Sequence, residues 1–95
     1  MKWQQVRETL SGKLKGRIEP ATKHDNGYVQ CGHTPIGRVL LGRHGGIDMK
    51  PWEINGCANS LRIGPHDFKE LVRCNMSQAQ FCEKALRKVQ SLLPE

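Results

Sequence analysis

Residues 34–63, TPIGRVLLGRHGGIDMKPWEINGCANSLRI, constrain the fold more than any other stretch of this chain. Apolar runs at 36–41, 52–54 and 61–63 are separated by Gly45-Gly46 and Asn55-Gly56. Gly-Gly and Asn-Gly tolerate the backbone of tight turns, so short apolar runs between them read as strands of a β-meander. The run at 36–42 predicts the most buried strand, because Val39, Leu40 and Leu41 are continuous. Gly37 and Gly42 within it predict a bulge or a close backbone approach. Residues 52–54 and 60–63, around Asn55-Gly56, predict a further hairpin with Trp52 in the core. The glycine pair at 45–46 predicts a mobile basic loop over 43–50.

The flanks read differently. Trp3, Val6 and Leu10 recur at helical spacing, which predicts a helix over 2–11 that stops near Gly12. Leu14 and Ile18 then alternate with Lys13, Lys15, Arg17 and Glu19, the pattern of an edge strand with one solvated face, and Pro20 ends it. Asp25-Asn26-Gly27 predicts a turn, residues 28–31 the returning strand, and residues 32–35 the next turn. Beyond Gly64-Pro65 the period becomes helical, with Phe68, Leu71 and Val72 on one stripe and Asn75 as a stop. Ser77 and Gln80 match a capping box at the start of a last helix over 78–93. Cys82, Ala85, Leu86, Val89 and Leu93 share its apolar face, and Glu83 and Arg87 pair on the wet one. The expected class is α+β: a small antiparallel meander of 4–5 strands, an N-terminal helix and two C-terminal helices, in a single domain over 1–95.

A chain of 95 residues buries only about 60–65% of its unfolded surface, so the core is modest. The net charge of +6 points to partners that are acidic, either nucleic acid or a protein surface. No run approaches the apolar length of a membrane span, and no helix combines basic and aromatic faces as membrane-surface helices do. The N-terminal MKWQQVRETL lacks the apolar centre of a signal peptide. The expected location is therefore the cytoplasm, with Cys31, Cys57, Cys74 and Cys82 as reduced thiols.

Catalytic and metal signatures are thin. Cys31-Gly32-His33 places two ligand types together, but zinc sites use two close pairs, and His44, Cys57, His66, Cys74 and Cys82 do not form a second hook. Asp48-Met49-Lys50 has the form of half a metal-dependent nuclease site, and Asp67-Phe68-Lys69 repeats the triplet at a helix start, which marks it as chance. His33, His44 and His66 with Arg38, Arg43 or Lys50 are the residue types of a metal-free ribonuclease-type toxin, yet nothing positions an acid against a base. Neither a metal nor a cofactor is expected. The better-supported feature is a basic face made of Lys13, Lys15, Arg17, Arg38, Arg43, His44, Lys50 and Arg62, suited to phosphates or acidic side chains. Trp52 and Tyr28 are the only strand aromatics of this reading and make no stacking platform. Gly64-Pro65 reads first as a helix start, and second as a docking point for a prolyl isomerase.

In size, basic charge and lack of a catalytic signature, the whole chain resembles the small accessory proteins of temperate enterobacterial phages. Within that group it resembles the anti-RecBCD type, which binds the host exonuclease–helicase and modifies it. The resemblance transfers no individual residue. It implies a non-enzymatic binding protein whose partner is a host machine acting on nucleic acid in DNA recombination. Direct nucleic-acid binding and ribonuclease-type toxicity are the two alternatives.

Overall fold

The computed structural model describes residues 1–92. In chain order the elements are α1 (Trp3–Glu8), β1 (Arg17–Pro20), β2 (Asp25–Cys31), β3 (Thr34–Leu41), α2 (Pro51–Ser60), α3 (Pro65–Val72) and α4 (Gln78–Leu92). The class is α+β, and the sheet is an antiparallel meander in the order β1-β2-β3.

The expected 4–5 strands reduce to three because residues 51–60 are a helix. Pro51 occupies the first helical turn, where its missing N–H costs nothing. Glu53 accepts the backbone N–H of Lys50 at 2.9 Å. Asn55-Gly56, read as a hairpin turn, lies on the solvent side of this helix. Cys57, Ala58 and Leu61 supply the buried side instead. Packing of that side outweighs the cost of roughly 0.5–1 kcal/mol for a helical glycine.

Two further turns moved. The π-helical turn Thr9–Lys13 prolongs α1, and its wide ring lets both Leu10 and Leu14 reach the core. The edge strand consequently starts only at Arg17. Asp25-Asn26-Gly27 is not a turn but the start of β2, and residues 21–24 make the connection. Gly27 is buried between Ile18 and Val39, and a β-carbon there would meet Leu10 and Leu41 at 3.1 and 3.2 Å. Its use is close packing.

The sheet buries one face. Val29, Ile36, Val39 and Leu41 point into a cluster with Val6, Leu10, Leu14, Leu61, Phe68, Leu71, Phe81 and Ala85. Each fully buried Leu or Phe contributes roughly 1.5–3 kcal/mol. The pairing shifts between Val29↔Gly37 and Gln30↔Pro35, leaving Ile36 as the bulged residue and turning it inward. Beside it, the Ser60 carbonyl oxygen occupies the place where a Gly37 β-carbon would stand. The bare backbone at Gly37 is what admits the end of α2 onto β3.

The C-terminal half follows its pattern. Pro65 opens α3, and Phe68, Leu71 and Val72 are its buried stripe. Ser77 Oγ accepts the Gln80 N–H at 3.2 Å while Gln80 Oε1 accepts the Ser77 N–H at 2.9 Å. On α4, Phe81 and Ala85 are buried, Cys82, Leu86 and Val89 are half-buried, and Glu83 pairs with Arg87 at 2.7 Å. Leu93, expected on the same face, lies outside the described residues.

The expectation of four reduced thiols is corrected. Cys31, at the end of β2, is bonded to Cys82 on α4 across 51 residues, with a Cα–Cα distance of 5.7 Å. Cys57 is a buried thiol and Cys74 an exposed one. Burial, with Glu53 adding to it, pushes the Cys57 thiol up to about 12, so it stays protonated and inert at neutral pH. The bridge closes a long loop, which removes entropy from the unfolded chain. Replacing both Cys31 and Cys82 by Ser is expected to lower unfolding free energy by roughly 2–4 kcal/mol in urea titrations. Alkylation of the unreduced, unfolded protein is expected to label only Cys57 and Cys74, as read by mass; labelling at Cys31 or Cys82 would contradict the bridge.

Candidate functional site

The segment expected to be mobile, 43–50, is tied down by residues 1–4. The N–H groups of Trp3 and Gln4 donate to the carbonyls of Ile47 and Gly45 at 3.3 and 3.0 Å, and the Met49 N–H donates to the Met1 carbonyl at 2.8 Å. Lys2 pairs with Asp48 in an isolated bridge, and its ammonium donates to the Gly46 carbonyl at 3.1 Å. Met49 is buried, which anchors the far end of the segment.

Arg7 fixes the near end. Its Nε and Nη2 donate to the Gly42 carbonyl at 3.0 and 2.9 Å, and Nη2 also donates to Asp25. Arg43 Nε donates to the other Asp25 oxygen at 3.3 Å. The Arg7 hydrogen bond is the largest influence on the Asp25 carboxyl and holds it below its ordinary value of 3.8; partial burial works against this and Arg43 adds to it.

This tie presents a mixed surface. Ile47 is 57% exposed and Trp52, in the first turn of α2, is 66% exposed. The Lys50 ammonium sits 5.0 Å from the Trp52 ring centroid, a cation–π contact. Arg43 and His44 are exposed on the same segment. Trp52 is thus corrected from core to surface. The signal was present in Lys50-Pro51-Trp52-Glu53, since Pro at the first and Glu at the third helical position mark a helix start.

The expected basic face divides. Arg17, Tyr28 and Arg38 face one another across the three strands, and the Arg17 guanidinium lies 5.0 Å from the Tyr28 ring centroid. Arg17 also pairs with Glu19 at 2.9 Å. Together with Lys15, Gln30 and Pro35, Arg17 and Tyr28 line a groove of about 370 Å³. Lys13 does not belong to this face. Its ammonium donates to the carbonyls of Leu71 and Met76 at 2.8 and 2.9 Å and so closes the C-terminal end of α3. Arg62 does not belong to the sheet; it follows α2, with a left-handed φ of 62°.

The remaining candidates stay apart. His33 is in the β2–β3 turn, His44 in the 42–50 segment and His66 in the first turn of α3, all exposed. Cys31 is committed to its bridge. Among the described residues, no three His, Cys, Asp or Glu side chains converge as a metal site would need. Gly64 and Pro65 are the cap and first residue of α3, both exposed. No described helix is long and apolar enough to cross a membrane.

Comparison with protein-family models, with curated proteins and with solved structures finds no match for this chain.

Asp25→Asn is expected to destabilise the fold at neutral pH and to flatten its acid sensitivity. A carboxyl whose folded pKa is depressed stabilises the fold above its unfolded value, here near 3.8, and that contribution fades as the pH falls through the lower folded value. Urea titrations from pH 7 downward compare the two proteins. Parallel acid profiles would remove Asp25 from this role.

Proposed function

We propose that this chain is a non-enzymatic binding protein that docks on a protein partner through the surface formed by residues 43–52. One observation carries the reading: Trp52 stands 66% exposed with the Lys50 ammonium over its ring, and Arg43, His44 and Ile47 are exposed on the segment that leads into it. An exposed tryptophan flanked by cations is the composition of a protein-binding hot spot, where an aromatic anchor fills a pocket and charges at the rim set orientation and on-rate. A chain of net charge +6 calls for an acidic surface around that pocket. Arg17 and Arg38 on the open sheet face, with Lys15 just before β1, would add long-range attraction to the same partner.

The partner proposed is a host protein machine that acts on nucleic acid, of the RecBCD exonuclease–helicase kind implied by the resemblance. Docking there would modulate the machine without chemistry by the small protein itself. The separation of His33, His44 and His66 on three connections supports a binding role over a ribonuclease one.

The test is binding of the purified chain to purified RecBCD, followed by interferometry after nuclease treatment. Trp52→Ala is expected to weaken binding roughly 30-fold, the size of a 2 kcal/mol hot spot, while leaving the melting curve unchanged. Ile47→Ala should weaken it less. No binding by the intact chain, or equal binding by Trp52→Ala, would overturn the proposal.

A further inference from the structure

A second concave surface lies away from these residues in composition. The α2–α3 connection and α4 enclose a groove of about 770 Å³ lined by Arg62, Lys84, Arg87 and Lys88, with Asn59 and Ser91 as further polar groups. Against these four cations, Asp67 is the one carboxylate in the lining among the described residues. We propose that this groove binds the phosphodiester backbone of single-stranded nucleic acid.

The sequence builds the cationic wall directly. Lys84, Arg87, Lys88 and Ser91 recur at i, i+3, i+4 and i+7, so they form one stripe along α4. Lys84 and Lys88 are separated by about 6 Å of helix rise, a spacing that suits successive phosphates of an extended strand. Arg62 closes the opposite wall from the end of α2. It holds a left-handed backbone that favours glycine, so an arginine there places a cation at some cost in backbone strain.

The existing ion pairs do not block the groove. Lys84 meets Asp67 at 3.5 Å and Arg87 meets Glu83 at 2.7 Å, with the cations about half or more exposed. Exposed pairs of this kind are weak, and a phosphate can replace either carboxylate. Asn59 offers an amide donor to phosphate or sugar oxygens, while the Ser91 hydroxyl donates to the Lys88 carbonyl at 2.8 Å.

The lining also separates nucleic acid from protein as the occupant. Among the described residues its one large apolar side chain, Ile63, is only 8% exposed. A protein partner would lack an anchor point here, in contrast to the surface around Trp52. Interfaces with nucleic acid are polar and strongly positive. Three of its four cations lie on one stripe of α4, so they would follow the phosphates of one strand.

The inference stands apart from the docking proposal, and its test contains no partner protein. Fluorescence anisotropy of a labelled oligothymidylate would be followed with the full chain as salt rises. Binding is expected at low salt and should fall steeply as salt increases. Arg62→Ala with Lys88→Ala should weaken it about tenfold or more and reduce the salt slope by roughly 1.4, the loss of two single-strand phosphate contacts. Arg62→Gly removes one cation while relaxing the backbone, and an unchanged melting curve for it assigns a loss of affinity to the missing charge. Arg17→Ala with Arg38→Ala should leave binding in place. Absence of binding at low salt, equal binding by the Arg62/Lys88 variant, loss only in the Arg17/Arg38 variant, or equal competition by polyglutamate would each overturn the inference.

Discussion

The contact of Arg7 with Asp25 and the Gly42 carbonyl is the tie on which the presented surface depends. One guanidinium joins α1 to the first residue of β2 and to the backbone just beyond β3. These are charge-assisted hydrogen bonds, and both side chains are less than one-fifth exposed, so solvent screens them less than an ordinary surface pair. With α1 fixed at that end, residues 1–4 run alongside residues 45–49 and bond to their backbone. The chain then enters α2 at Lys50 with its direction already set, and Trp52 emerges on the outside of the first turn. Trp52 is thereby held in place, which would lower the ordering cost of the proposed docking.

A sheet of three strands offers a single apolar face, and every helix competes for it. Close approach resolves the competition. Gly27 admits Leu10 over the centre of the sheet, and Gly37 admits the end of α2 against β3. α4 reaches the cluster through Phe81 and Ala85 and is fastened to β2 by the Cys31–Cys82 bridge. The Lys13 ammonium then secures the end of α3 to the turn that follows α1. Side chains near the N-terminus thus organise both the segment that leads into α2 and Trp52 and the helices that carry the cationic groove.

Much of this architecture was legible in local pattern. The helical spacing of Trp3, Val6 and Leu10, the capping box of Ser77 and Gln80, and the apolar stripe Phe68, Leu71 and Val72 all mark elements that form where expected. The bulge beside Gly37 was legible too, as a glycine inside an apolar strand. Asn55-Gly56 misled because turn chemistry expresses itself only when the flanking chain is extended, and Pro51 with Glu53 had already started a helix. That one error moved Trp52 from core to surface and cost the sheet its extra strands. The fate of Lys13, the pairing of Cys31 with Cys82, and the row Arg17–Tyr28–Arg38 are long-range outcomes. They depend on register and packing, which no local window contains. Lys84, Arg87 and Lys88 read as a solvated helix face until Arg62 is found across from them.

The central claim is that a tied 43–52 surface, and not the open sheet or α4, makes the protein contact. Backbone hydrogen exchange of the chain, free and bound to RecBCD, tests it most directly. The expected result is new protection concentrated at the amides of 43–53, with α4 and β1 unchanged. Protection confined to α4 or to the sheet strands, with residues 43–53 exchanging as in the free chain, would contradict it.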